Sequence, residues 1–124
     1  MLEHGKAICR WQGDTLLIST QGSFNVEGAL KADLQIKALV SEKQQEKGWL
    51  RLDTPDENSL GSPQVMAIFV QNYQWAFAHG CKAMALVCLS NMQQELAKSF
   101  ATRSKLNIKV FSCSEMANRW LSCF

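Results

Sequence analysis

The sequence has no apolar stretch long enough to cross a membrane: its longest, Ala83 to Leu89, falls far short of the roughly 18 residues that a span requires. The opening MLEHGKAICRWQGD has no apolar signal core, so a cytoplasmic protein is expected. Histidine is scarce. His4 stands near the start and His79 beside Gly80, with no further ligand at metal-binding spacing, and Asp53, Asp56 and Glu57 lack the spacing of a calcium loop. No metal or other cofactor is expected. The five cysteines (Cys9, Cys81, Cys88, Cys113, Cys123) are odd in number and form no Cys-x-x-Cys pair, which reads as reduced thiols lying mostly in apolar segments. Cys81 and Cys88, seven residues apart in one expected strand, should point to opposite faces. Neither has an evident histidine partner, so nucleophilic catalysis is not indicated. A net charge of +2 with no dense Lys/Arg stripe gives no footprint for nucleic acid. The chain does not read as an enzyme.

What is present is an ordinary globular composition, 47% hydrophobic and 19% charged with both signs interspersed. At 124 residues it is expected to form one domain over 1–124, without repeats, linkers or low-complexity tracts, and to bury roughly two-thirds of its unfolded surface. Ala7 to Trp11 and Thr15 to Thr20 are β-prone runs separated by QGD, the spacing of an antiparallel hairpin. Val26 to about Gln45 predicts a helix with Val26, Leu30, Leu34 and Ala38 on its apolar stripe and Ser23 or Asn25 as N-cap. Trp49 to Asp53 alternates as a strand, and Pro63 to His79 predicts a second helix, with Gly80 as its C′ residue. KAMALVCL is apolar almost throughout, as suits a central parallel strand. Asn91 with Gln94 suggests a capping box for a third helix whose face is Met92, Leu96 and Phe100. Asn107 to Phe111 reads as a strand, and Ser112 with Glu115 as the cap of a last helix facing inward through Met116, Trp120 and Leu121. Trp49, Trp75 and Trp120 suit packing positions, while Trp75 and Phe77 also suit the border of a ligand cavity.

The order ββαβαβαβα predicts an α/β fold: a mostly parallel sheet of about five strands with an antiparallel N-terminal strand and four helices. In such sheets ligands gather at the carboxyl ends of the strands. Three loops lie there: QGSFN with Ser23 and Asn25, DTPDENSLGS with Asp53, Asp56, Ser59, Gly61 and Ser62, and LSN with Ser90 and Asn91. Ser59 and Ser62 stand just before a helix, where free N–H groups favour an anion, and Ser62-Pro63 also has the form of a plain N-cap and N1 pair.

The chain resembles STAS domains, the anti-sigma-factor-antagonist family, and within them a stand-alone bacterial STAS-like branch. The resemblance rests on GDTLLISTQGSFN, WLRLD, WAFAHGCKAMALVC and VFSCSEMANRWL. It implies a non-enzymatic regulatory domain that works by protein contact through the carboxyl-edge loops. In the best-known members an Asp-Ser-Ser-Gly serine is phosphorylated by a kinase that is also an anti-sigma factor. The matching region here reads Asn58-Ser59-Leu60-Gly61-Ser62-Pro63, so Ser59 or Ser62 stands where the switch serine would be. The implied partner is a kinase or anti-sigma-like protein. Kinship of the branch with CRAL-TRIO modules implies, alternatively, a small molecule or lipid in an apolar pocket between helices and sheet.

Overall fold

The opening hairpin forms where alternation and the Gly13 turn predict it. β1 (Lys6–Gln12) pairs antiparallel with β2 (Thr15–Gln21), and Gly13 sits at φ +60°, a turn conformation that favours glycine. The rest of the chain alternates helix and strand: α1 (Val26–Glu42), β3 (Trp49–Pro55), α2 (Pro63–Ala78), β4 (Cys81–Val87), α3 (Asn91–Ser104), β5 (Ile108–Phe111) and α4 (Ser114–Leu121). The computed structural model describes residues 2–43, 47–59 and 61–124, so the expected extension of α1 to Gln45 lies outside the described residues, as does Leu60.

The five strands stand in sequence order, and β2 to β5 are parallel. Because each crossover advances the same way across the sheet, right-handed connections put α1, α2 and α3 on one face. Leu16, Ile18, Trp49, Met84 and Leu86 of the sheet meet Ile36 and Val40 of α1 and Ala76 of α2 there. α4 follows the last strand and covers the other face, with Ala117 and Leu121 against Leu50, Leu52, Ala83, Ala85 and Val87. β3 and β4 are therefore covered on both sides, which is why KAMALVCL is apolar except for the exposed Lys82.

Three expected helix faces are corrected. On α1 the buried residues are Gly28, Ala29, Ala32, Ile36 and Val40, whereas Leu30 and Leu34 are exposed. Close approach selects the small residues: a Cβ added at Gly28 would collide with the backbone carbonyl of His4. On α3, Met92 and Leu96 are exposed, and the helix packs through Ala97, Phe100 and Ala101. On α4, Met116 is half exposed while Ala117 and Leu121 are buried. Phe100 on α3 and Trp120 and Leu121 on α4 pack as expected, but alanines share each contact, and a reading weighted toward large side chains also draws in the exposed neighbouring ridge.

The caps shift in a similar way. Asn25 caps α1, its Oδ1 accepting from Gly28 N at 2.8 Å, and Ser62 caps α2 with Pro63 at the first position. α3 is capped by Ser90, which accepts from Gln93 N at 3.1 Å, rather than by Asn91, and the Gln94 amide donates to the Cys88 carbonyl instead. Cys113, not Ser112, precedes α4, without a side-chain cap bond. The two strand cysteines are also corrected. The β3–β4 register steps from Trp49 opposite Cys81 to Leu50 opposite Ala83, and this bulge at Lys82 brings Cys81 into the same core cluster as Cys88.

Candidate functional site

The carboxyl ends of β2, β3 and β4 form one edge of the sheet, and Asp56 binds its loops together. The Asp56 carboxylate accepts from Gly22 N at 3.0 Å, Asn58 N at 2.9 Å and Ser59 Oγ at 2.9 Å. Its backbone N–H donates to Thr20 O at 2.9 Å, and its own carbonyl accepts from Gln93 Nε2 at 2.7 Å. The loops after β2 and β3 and the first turn of α3 are thus joined at one residue. These bonds, the Gly22 N–H first, hold the Asp56 carboxyl below the ordinary carboxylate range, against a smaller opposing effect of burial.

A shallow groove of about 390 Å³ runs along this edge past Thr20, Pro55, Asp56, Leu89 and Ser114. Leu89 is 62% exposed and Met92, at the start of α3, 67% exposed, with Met116 near the start of α4 half exposed. Of the expected loop residues, Ser23, Ser62 and Asn91 are exposed, Gly61 and Ser90 partly so. Asn25 is occupied in capping α1 and in holding Leu2 O and His4 N. Ser59 is only 5% exposed, and its hydroxyl is held between Thr20 O and Asp56. Asp53 is not on the loop surface at all.

Asp53 belongs instead to a buried polar group beneath α2. Strand periodicity places Trp49, Arg51 and Asp53 on the same side of β3, and that side is covered by helices. Arg51 is 1% exposed and grips Asp53 with two bonds, Nε to Oδ1 at 2.7 Å and Nη2 to Oδ2 at 2.9 Å. Its Nη1 donates to Asn72 Oδ1 at 2.6 Å, Asn72 Nδ2 donates to Asp33 Oδ1 at 2.9 Å, and Asp33 pairs with Lys37 at 3.0 Å. The Tyr73 ring lies over the guanidinium, 5.0 Å from its carbon. Burial is the largest influence on the Arg51 pKa and acts to lower it, but its surroundings together, Asp53 foremost among them, carry the net shift upward; burial and the same carboxylate push the Tyr73 hydroxyl up.

Above this group lies a cavity of about 110 Å³ between α1, α2, α3 and the sheet, open to solvent on one side. Its wall is mostly apolar, with Ile18, Met66, Phe69, Val70 and Phe100 among its lining residues; Arg51, Asp53, Asn72 and Gln93 contribute the polar part. The sequence did not single out Arg51, Asn72, Asp33 or Gln93. For Arg51 and Asp53 a signal existed: an i, i+2 charge pair on a strand with no solvent face has to be buried and paired.

The thiols stand apart from this chemistry. Burial pushes Cys9 and Cys88 up to about 11 and Cys81 up to about 12, the reverse of what a nucleophile needs. Cys113 and Cys123 are exposed. Native protein treated with iodoacetamide at neutral pH should therefore be alkylated at Cys113 and Cys123 well before the other three, as peptide mass spectrometry would show; early modification of Cys88 would contradict this burial. Among the described residues no group of His, Cys, Asp and Glu could hold a metal ion. His79 is the C-cap of α2, stacked on Trp75 at 4.3 Å, and its carbonyl accepts from Trp49 Nε1.

No protein-family model matches the sequence, and no curated protein does. Among solved structures, the chain is similar to an uncharacterised protein of the DUF3478 family with a SpoIIAA-like fold from Shewanella loihica PV-4. The TM-score is 0.65 at 15% identity, covering 98% of this chain and 96% of that one. It is also similar to an anti-sigma factor antagonist from Mycobacterium paratuberculosis, with a TM-score of 0.64 at 8% identity over 93% and 92% of the two chains. The antiparallel first strand, the four parallel strands in sequence order and the four helices are thus the SpoIIAA-like α/β fold, the architecture that the STAS resemblance predicted.

Proposed function

We propose that the protein is a non-enzymatic regulatory domain of the cytoplasm that works by docking a protein partner on the carboxyl edge of its sheet. The observation that carries this reading is the groove beside Asp56, lined by the exposed Leu89, with Met92 also exposed in the first turn of α3 that follows. Fold similarity to an anti-sigma factor antagonist supports a partner of the kinase or anti-sigma type. Within this reading the switch serine is Ser62 rather than Ser59. Ser62 is exposed at the N-terminus of α2, whereas Ser59 would have to leave Thr20 O and Asp56 before a kinase reached it.

The test is a pull-down from cells with the Leu89→Asp/Met92→Asp variant and with Leu34→Asp, which changes an exposed leucine on α1. A partner lost with the first and kept with the second supports edge docking; a partner kept by both, or lost by both, overturns it. Phosphate on Ser62 after incubation with lysate kinases and ATP would support the switch, and its repeated absence would remove it.

The cavity above Arg51 favours a second reading, binding of a small apolar molecule or lipid between helices and sheet. Native mass spectrometry of freshly purified protein tests it through a co-purifying ligand.

A further inference from the structure

One hydroxyl in the cavity between α1, α2, α3 and the sheet has no partner. Tyr73 lines that cavity, and its Oη makes no hydrogen bond among the described residues. It is not sealed off either: Gln93 Oε1 is the one described side-chain oxygen or nitrogen that is both unpartnered and closed to solvent, so water-sized groups do reach Tyr73 Oη. The ring is held between two other cavity residues, Phe100 with its centroid 5.8 Å away and the Arg51 guanidinium 5.0 Å away. The groups whose charge acts on the hydroxyl, Asp53, Arg51 and Cys88, line the cavity too. Burial and the Asp53 carboxylate keep its proton in place, so it meets a guest as a donor.

The rest of the wall limits the guest. The Arg51 charge is already met by Asp53 in a two-bond pair, so an anion would give up water for a floor with no unbalanced positive charge. Met66, Phe69 and Val70 of α2 present hydrocarbon and ring surface, and Leu96 of α3, a lining residue that is 53% exposed, marks the open side. A volume of about 110 Å³ is below the roughly 150 Å³ of an engineered cavity that holds one benzene. That is too little for the body of a diacyl lipid and enough for one small ring.

We infer that the cavity is a binding site for small uncharged carbonyl compounds, an apolar body of about one ring whose oxygen accepts from the Tyr73 hydroxyl. This rests on the ligand-binding reading above and narrows it to a chemical class. Cyclopentanone is the probe, and cyclopentane its counterpart without an acceptor.

Each is titrated into 15N-labelled full-length protein while amide shifts are followed. Both should bind with roughly millimolar affinity, as their few heavy atoms permit, and shift amides of α2, α3 and β3. Tyr73→Phe removes the hydroxyl and keeps the ring between Arg51 and Phe100. It should weaken cyclopentanone about tenfold and change cyclopentane less than about twofold, the effect of one lost hydrogen bond. The infrared carbonyl stretch of the bound ketone reads the same bond in the wild type and should lie below its position in hydrocarbon solvent. Ala97→Leu, which adds carbon to the α3 wall, should abolish binding of both probes. If neither probe shifts these amides in the wild type, or if Ala97→Leu binds both unchanged, the ligand-binding reading itself is overturned. If both bind but Tyr73→Phe weakens them alike, or the bound carbonyl absorbs where it does in hydrocarbon, the carbonyl class falls and the apolar site remains.

Discussion

Asp53→Ala is expected to destabilise the fold by about 3–5 kcal/mol, the cost of leaving a buried guanidinium without its carboxylate. A domain of this size has only about 5–15 kcal/mol in total, so the variant should unfold at far lower urea than the wild type, or not accumulate folded. The network makes a second outcome equally specific. Removing Arg51 as well would still strand Asn72 Oδ1, which the guanidinium satisfies at 2.6 Å. The triple change Arg51→Met, Asp53→Leu, Asn72→Leu takes out all three buried members and leaves Asp33 with Lys37. It should regain most of the loss, because apolar replacement of a whole buried ion pair is often neutral or stabilising. Urea midpoints for the single and triple variants decide it. A triple variant no better than Asp53→Ala would mean that the residues stabilise through their shape and not through mutual neutralisation.

The same residues show where the sequence was legible and where it was not. Element order, the hairpin, the Ser62-Pro63 helix start and the doubly covered β4 follow from local rules: alternation, turn chemistry, capping and unbroken apolarity. These are properties of a few neighbours in the chain. The placement of Asp53 is not such a property. Read locally, WLRLD is a half-exposed strand with Leu50 and Leu52 inward, and Asp53 begins an acidic loop. Only sheet order shows that β3 is central and covered on both faces, so that Arg51 and Asp53 must be buried together. The helix faces went astray for a related reason. Leu30 and Leu34 outweigh Ala29 and Ala32 in any apolar periodicity, yet α1 approaches β1 and α2 through its small residues, and that preference is visible only once the partners are in place. A β-bulge at Lys82 likewise overrode the odd spacing of Cys81 and Cys88, since one added residue reverses the face of everything before it.

At the carboxyl edge, Asp56→Asn should loosen the proposed docking surface without disturbing the core. Two backbone N–H groups and one hydroxyl point at the wild-type carboxylate. An amide offers a single acceptor oxygen and turns a donor toward Gly22 N–H or Asn58 N–H. Charge-assisted bonds are worth more than neutral ones, though solvent reaches this partly exposed carboxylate and screens it, so the loss of stability should be about 1–2 kcal/mol. Amide exchange at Gly22, Asn58 and Ser59 should quicken about tenfold or more, while Met84 and Leu86 in β4 stay protected. The pH dependence has a defined sign. The folded carboxyl titrates below its unfolded value of about 3.9, so its contribution is fully present above that pH and fades as pH falls through the folded value. Wild-type stability should therefore drop more steeply below about pH 4 than that of Asp56→Asn, and the two curves should converge in acid. Unchanged exchange at Gly22, with parallel stability curves down to low pH, would show that backbone contacts alone hold the loops together.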